Sequence, residues 1–469
     1  MPRWNRLLAG LAAVAIASAA FVVPTAASPS ASLTRYPYLT DLVSRHVTVN
    51  WATSTAITTG RVTYGRTGVE TCHAHHVAAT ATPISVGAIA ESQWKAQLTG
   101  LAKDTKYCYR IKGDGERLLG PGPAPTFRSQ VSPRSSSPFS FAVIGDWGLV
   151  GPSGENSDQE NVIAQIAASG ARFAVTTGDT AYPDGSQLNY GDLQQTGGST
   201  STIFGPAFWT QAGASIPLFN VQGNHGLNTA ALTNWPQDKA VASSGGRYEP
   251  ETYCCANGTS SASYPSEWYA FNAGRARFYV LDAAWDNSNV GTADLYENDY
   301  DAHWTIDDDE YQWLQADLEA NPKKVSFAFF HFPLYSANAT EATDAWLNGP
   351  TSLEGLLADH GVDVVFNGHA HIYERNAPSA PDMPVSYVTG GAGARLEPVS
   401  VCSPIVQYAI GWDYVAGTHG SACGSAGAPT AVEQVYHFLL VTVDGSTVTV
   451  TPTDELGNTF DVQTYAFGP

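Results

Sequence analysis

Positive charge is scarce in this 469-residue chain: 23 Lys and Arg stand against 43 Asp and Glu, a formal charge of −20. A surface of that sign disfavours polyanions, so nucleic-acid duplex binding is not expected. A small phosphate ester stays admissible, because bound cations reverse the local field. No long apolar run follows the amino-terminal segment, so no membrane span is expected beyond it. There is no internal repeat, no heptad pattern and no phosphate-cradling glycine loop. Cysteines number six, and none sits where a neighbour would lower a thiol pKa, so a cysteine nucleophile is not expected.

What is present begins with an export leader over residues 1–27, with Arg3 and Arg6, an apolar stretch 7–23 and small residues for cleavage at Thr25, Ala26 and Ala27. The mature protein is therefore expected to be secreted or extracytoplasmic, and two units more negative once both arginines are removed. Cysteines pair in that setting. Cys72 and Cys108 are candidates for one bond, and Cys402 and Cys423 for another that closes a Gly- and Ser-rich loop. Cys254 and Cys255 are adjacent, so a bond between them is strained; crossed pairing with Cys402 and Cys423 is the alternative. Asn257 and Asn338 open N-x-T sequons. The acidic run 307–310 reads as a solvated helix start.

Residues 33–130 read as all-β. Val47, Val49 and Trp51 alternate with polar residues, predicting one buried strand face, and Tyr107, Tyr109 and Ile111 repeat the pattern. Leu101, Thr105 and Tyr107 suggest the tyrosine corner of a β-sandwich. The Ser/Pro stretch 131–138 is the expected linker. From 139 to 469 strands and helices alternate, which predicts an α/β domain with parallel pairing. Strands are expected at 139–144, 173–177, 216–221 and 362–366. A helix over 157–170 would bury Val162, Ile163, Ile166 and Ala167 and stop at Gly170. A second would open on a capping box from Thr351 to Glu354 and end at Gly361. The tail 435–453 reads as a hairpin around Asp444-Gly445.

Five polar segments each follow a short apolar run: GDWG at 145–148, GDTAY at 178–182, GNH at 223–225, HFPLY at 331–335 and GHAH at 368–371. Ligands bind beyond the carboxyl ends of strands in such sheets. Asp146 and Asp179 each follow a glycine that permits a tight turn, and a carboxylate can bridge two cations. Asn224 offers a neutral hard oxygen, and His331 sits where its strand stops. His369 and His371 are two apart, which in extended geometry puts both rings on one face. Carboxylate, phenol, amide oxygen and imidazole together suit transition metals in a two-metal hydrolytic site. His73, His75 and His76 read as an exposed loop cluster, and His46, His303, His360, His419 and His437 show no partner.

The ordered set GDxG, GDxxY, GNH, strand-end His and GHxH resembles the purple acid phosphatases of the calcineurin-like metallophosphoesterase superfamily. RYPYLTDLV and VTYG resemble that family's N-terminal fibronectin-III-like domain; EWYAFNAGRARFYVLDA, YQWLQADLEA, HFPLYS and GHAHIYERN resemble pieces of its catalytic domain. The resemblance implies an all-β sandwich at 33–130, then an α/β metallophosphoesterase domain at 139–469 built as a β-sheet sandwich flanked by helices. It implies one metal held by Asp146, Asp179, Tyr182 and His371, and a second held by Asp179, Asn224, His331 and His369. Fe(III) is implied at the Tyr182 site, and Fe, Zn or Mn at the other.

The implied function is a secreted acid phosphatase-like hydrolase, in which a metal-bound hydroxide attacks a phosphate monoester in line. His225 and Asp179 are its expected catalytic residues. Two departures stand out. The family usually follows GNH with an acidic residue, where this chain has Gly226. It also usually carries a further histidine after the strand-end one, and none occurs here between His331 and His360. Glu341 is the candidate acid in that place, and 227–265 looks like an insertion. These departures motivate an alternative, a phosphodiesterase acting on glycerophosphodiesters or nucleotides at the same metals. A third reading is a non-catalytic surface-binding protein that works through its β-sandwich.

Overall fold

The computed structural model describes residues 33–86, 89–149, 156–180, 182, 212–221, 223–226, 268–281, 309–322, 325–339 and 347–468. The leader, Cys254, Cys255, Asn257, His303 and Glu341, with the expected insertion beyond Gly226, lie outside them. The amino-terminal part holds β1 (Leu33–Val43), β2 (His46–Ser54), β3 (Gly60–Arg66), β4 (His75–Ala78), β5 (Thr80–Val86), β6 (Ile89–Leu98), β7 (Lys106–Gly113), β8 (Glu116–Arg117) and β9 (Thr126–Arg128). Residues 131–138 carry no regular element. Then come β10 (Phe139–Ile144), α1 (Ser157–Ser169), β11 (Ala174–Thr176), β12 (Pro217–Phe219), β13 (Tyr269–Ala273) and β14 (Ala276–Val280). They are followed by α2 (Asp309–Ala320), β15 (Val325–Phe329), α3 (Leu353–Asp359), β16 (Val364–Asn367), β17 (Tyr373–Asn376) and β18 (Val385–Thr389). The tail adds β19 (Val406–Asp413), β20 (His419–Gly424), β21 (His437–Asp444), β22 (Thr447–Asp454) and β23 (Gln463–Ala466).

Two sheets build the larger half. One runs β23-β22-β21-β10-β11-β12-β1-β2-β6-β5, the other β13-β14-β15-β16-β18-β17-β19-β20. The expected parallel pairing is present: β10, β11 and β12 are parallel neighbours, as are β14, β15, β16 and β18. Phenylalanines fill the space between the sheets. Phe219 stacks on Phe271 at 3.8 Å between ring centroids, and Phe141 meets Phe278 edge-on at 4.9 Å. Helices α2 and α3 cover the outer face of the second sheet, where Trp313, Leu314, Leu353 and Leu357 pack on Tyr279, Phe330 and Val365. The tail hairpin closes β21 on β22 and pairs β21 with β10, completing one flank of the first sheet.

The amino-terminal strands do form a sandwich, with β4-β3-β7-β8 facing β1-β2-β6-β5. Trp51 stacks on Trp94 inside it, and the Tyr107 hydroxyl accepts from the Ala102 amide at 2.9 Å, as a tyrosine corner requires. One of its sheets is shared, however. β1 pairs in parallel with β12, Leu39 opposite Pro217 and Thr40 opposite Leu218. The first sheet therefore runs unbroken from the sandwich into the strands that carry the polar segments.

Several local expectations need correction. β2 is buried on both faces, since Thr48 and Asn50 are as enclosed as Val47 and Val49. Part of its polar face is paired internally: Asn50 Nδ2 donates to Thr40 Oγ1 at 3.0 Å, and the neighbouring Arg35–Glu91 ion pair at 2.6 Å is buried. In α1 the buried face is Gln159, Val162, Ile163 and Ile166; Ala167 is exposed, while Asn156 caps the start and Gly170 ends it at φ 78°. α3 has no capping box. Ser352 is its cap residue and makes no side-chain cap bond, while the Glu354 carboxylate accepts from Gly349 N and Tyr335 Oη instead. α2 opens within the acidic run, but Glu310 is fully buried rather than solvated. His75 and His76 are exposed on strand β4, not in a loop. The disulfides Cys72–Cys108 and Cys402–Cys423 form, which removes the crossed pairing for the last two.

Candidate metal centre

All five polar segments lie beyond the carboxyl ends of parallel strands. Asp146 follows β10, Asp179 and Tyr182 follow β11, and Asn224 follows β12 on a short 3-10 turn shared with His225 and Gly226. His331 follows β15, and His369 and His371 follow β16. Both sheets thus deliver side chains to one end of the sandwich. Atoms from Asp146, Asp179 and His331 come within 4.8 Å of one another, and all three residues are buried.

The turns are tight. Asp146, Asp179 and His369 have left-handed backbones, with φ of 55°, 45° and 68°. Such conformations cost about 1–3 kcal/mol each and concentrate at functional sites. Four motif glycines, Gly145, Gly178, Gly223 and Gly368, are required by contact. A Cβ on Gly178, itself at φ 102°, would lie 2.2 Å from His331 Nδ1, and one on Gly223 would lie 2.2 Å from Asp179 Oδ1. The left-handed turn at His369 also overturns the expectation of two rings on one extended face. His369 and His371 point to different groups.

One group gathers around the Asn224 side-chain oxygen. His331 Nε2 lies 2.8 Å and His369 Nδ1 3.2 Å from Oδ1, and His331 Nε2 lies 3.5 Å from Asp179 Oδ1. The other gathers around Tyr182, whose hydroxyl is 3.3 Å from Asp146 Oδ1 and 3.2 Å from His371 Nε2. Asp179 also acts on the Tyr182 phenol and so belongs to both groups. His225 stands at the mouth: its amide donates to Asp179 Oδ1 at 3.0 Å, while its ring is 39% exposed and packs 4.4 Å from the Tyr182 ring.

Two of the imidazoles are oriented from behind. His331 Nδ1 lies 2.7 Å from the Thr177 carbonyl, and His371 Nδ1 lies 2.7 Å from the Arg395 carbonyl. A carbonyl only accepts, so both Nδ1 atoms carry a proton, and in the neutral ring Nε2 is a lone pair. His331 Nε2 then faces oxygens that also only accept. Lone pairs converging on one point are what a cation satisfies, so the residues fit a metal.

Without a cation the same packing sets the charges, and it keeps a proton on His371 Nε2 beside Asp146. Burial would raise the Asp179 carboxyl, but the rings of His331 and His225 and the His225 amide hold it down at about 2. Burial opposes charge on His371 as well, yet the Asp146 carboxylate raises it to about 9. Burial, helped by the His369 ring, pushes His331 down against the pull of the Asp179 and Asp146 carboxylates. Burial, then the Asp179 and Asp146 carboxylates, push the Tyr182 phenol far up. That negative field keeps the phenol protonated without a cation and is the same field that would draw one in.

Sequence reading missed a sixth strand end. After β18, Ala392 N donates to Gly145 O at 3.2 Å and Ala394 N to Asp146 O at 2.7 Å, so residues 390–394 brace the first motif. That segment offers no ligand side chains; the glycine run after an apolar strand was its one signal. His437, which showed no partner, is buried behind it, with Nδ1 donating to Val435 O at 2.7 Å and Nε2 3.1 Å from Thr389 Oγ1.

Residues 139–373 match the family described as calcineurin-like phosphoesterase, and residues 36–141 match the purple acid phosphatase N-terminal domain. Purple acid phosphatase 15 of Arabidopsis thaliana is 27% identical over 64% of this chain and 53% of its own length. Purple acid phosphatase 21 of the same plant is 28% identical over 63% and 57%. The chain thus spans little more than half the length of these curated relatives. Among solved structures, a purple acid phosphatase isolated from yellow lupin (Lupinus luteus) seeds superposes with a TM-score of 0.60 over 93% of this chain and 74% of that one, at 16% identity. That likeness speaks for the fold alone.

Proposed function

Since the chain belongs to the calcineurin-like phosphoesterase family and carries a purple acid phosphatase N-terminal domain, we propose that it is a secreted phosphatase hydrolysing phosphate monoesters at a two-metal centre. One observation carries this reading: His331 Nε2 faces the Asn224 amide oxygen lone pair to lone pair, with the His369 ring on the same oxygen and a buried carboxylate beside them. Asp146, Asp179, Tyr182 and His371 would hold one ion; Asp179, Asn224, His331 and His369 would hold the other, with Asp179 shared. A phenolate from Tyr182 favours Fe(III) at the first position, and the second set suits Fe, Zn or Mn. The ions supply Lewis acidity and lower the pKa of water.

The chain's own residues do the rest. Thr177 and Arg395 fix the imidazole tautomers and aim Nε2 inward. Asp179, held well below the ordinary carboxyl range, stays ionised in weakly acidic solution. His225, exposed at the mouth, is placed to donate to a phosphoryl oxygen as charge grows there. Glu341, outside the described residues, is our candidate for protonating the leaving alcohol. We read 33–130 as the sandwich unit, 131–138 as the linker and 139–469 as the catalytic unit. Export fits the two disulfides. No helix among the described residues is long and apolar enough to cross a membrane.

The test is Asp179→Asn, assayed for metal content and for turnover of an aryl phosphate. Loss of metal and a fall in kcat of more than about 100-fold are expected; retention of both overturns the reading. A diester substrate is the second reading, favoured by Gly226 and by the missing histidine after His331. Turnover of a mono-aryl phosphate well above that of a bis-aryl phosphate decides for the monoester.

A further inference from the structure

Asn338 opens a sequon, yet its side chain is 2% exposed and already engaged. Nδ2 donates to Glu397 Oε2 and to the Pro398 carbonyl, both at 3.1 Å. Glu397 in turn is wrapped around His371. The His371 amide donates to Glu397 Oε2 at 3.4 Å, and the Glu397 amide donates back to the His371 carbonyl at 3.0 Å. Two residues earlier, the Arg395 carbonyl takes the His371 ring proton. Residues 395–398 therefore grip His371 by backbone and ring together.

The grip has its own anchor. Ser400 N and Val401 N both donate to the Ala337 carbonyl at 2.8 Å, and Ala339 N donates to Ser400 Oγ at 3.1 Å. Trp412 N donates to the Glu397 carbonyl at 2.8 Å, and the Cys402–Cys423 bond ties down the far end. The anchoring stretch 336–339 belongs to the loop that begins at His331. The stretch 331–339 thus starts at a candidate ligand of one ion and, eight residues on, braces the segment that holds a candidate ligand of the other.

We propose that Asn338 and Glu397 are positioning residues that hold His371 for its ion and couple it to the His331 loop, and that Asn338 is not a glycan acceptor in the folded protein. The inference rests on the two-metal reading. An amide suits this position: its NH2 meets a carboxylate and a carbonyl at once, which neither a hydroxyl nor a carboxylate can do.

The experiment titrates metal-free full-length protein with Zn(II) alone, against a competing chelator. Wild type is expected to take two ions per chain. Glu397→Gln, nearly isosteric, and Asn338→Ala are expected to weaken one ion by about tenfold or more and leave the other unchanged. On an aryl phosphate, kcat should fall with KM held. Thr340→Ala, which abolishes the sequon and leaves Asn338 in place, should match wild type throughout. Thermal unfolding of the metal-free variants checks folding, and Glu397→Gln decides if Asn338→Ala is unfolded. Two ions bound with wild-type affinity by Glu397→Gln overturn this inference alone, as does a glycan on Asn338 in the secreted protein or a Thr340→Ala variant that reproduces the loss. A wild type that binds no Zn(II) overturns the two-metal reading and this inference with it.

Discussion

The two halves of the centre are held by different means. His331 stands almost on the end of β15, and its ring is pinned by the carbonyl of Thr177, at the end of β11. The sheets themselves place it. His371 stands in an irregular turn, and its ring is held by Arg395, 24 residues further along the chain, on a segment anchored through side chains and short loops. Parallel ladders are stiff and collectively stabilised, whereas a loop clamp depends on a few hydrogen bonds worth about 1 kcal/mol each. The half built on strands should therefore tolerate loss of its neighbours and respond sharply only to loss of its own ligands. The half held by the clamp should respond to residues that touch no ion.

The largest effect falls where the halves meet, at Asp179, and the next on single ligands. His331→Ala should weaken one ion by more than about 100-fold. Tyr182→Phe, which removes no imidazole, should leave Zn(II) uptake within about tenfold of wild type and abolish any visible absorption of an iron-loaded protein. Equal losses of Zn(II) from the two variants would break the comparison. Backbone changes come next. Gly178→Ala puts a methyl into the His331 ring at a left-handed φ and should cost about 3 kcal/mol by chemical denaturation. Gly170→Ala ends α1 at φ 78° with nothing within 4 Å, and should cost about 1 kcal/mol. If the two costs match, the close packing at Gly178 is not what holds His331.

The smallest effect probes the clamped half through pH. Glu374 is buried beneath the 336–339 segment, where its carboxylate accepts from Ala337 N at 2.5 Å, and burial raises it to about 7. A carboxyl raised in the fold favours folding while protonated. Its contribution is complete below the ordinary range of about 4.3 and is lost as pH rises through about 7. Glu374→Gln should thus raise Tm by a few degrees at about pH 8 and change it little at about pH 4. Equal shifts at both pH values would show that Glu374 titrates as it does in water.

The legible part of the site was its ligand chemistry. GDWG, GDTAY, GNH, HFPLY and GHAH each put a metal-binding type just after an apolar run, and the structure brings all seven candidate ligands to one end of the sandwich. The illegible part was conformational. Spacing gave His369 and His371 one extended face, but a left-handed turn at His369 divides them, and nothing local marks that turn. Ala167 looked like core and is exposed; Thr48 and Asn50 looked like surface and are buried. Which side of an element is covered depends on partners distant in sequence.

By itself, then, the chain determined strand ends and the types of candidate ligand, because each depends on a few neighbouring residues or on chemistry that tolerates little substitution. Tertiary structure decided which candidate ligands meet, which nitrogen of each imidazole faces inward, and that β1 adds to β12 so the sandwich sheet continues into the strands that carry those residues. It also decided that Asn338, a sequon on paper, spends its amide on Glu397. Those outcomes rest on hydrogen bonds between segments far apart in sequence, and such bonds leave no periodic trace along the chain.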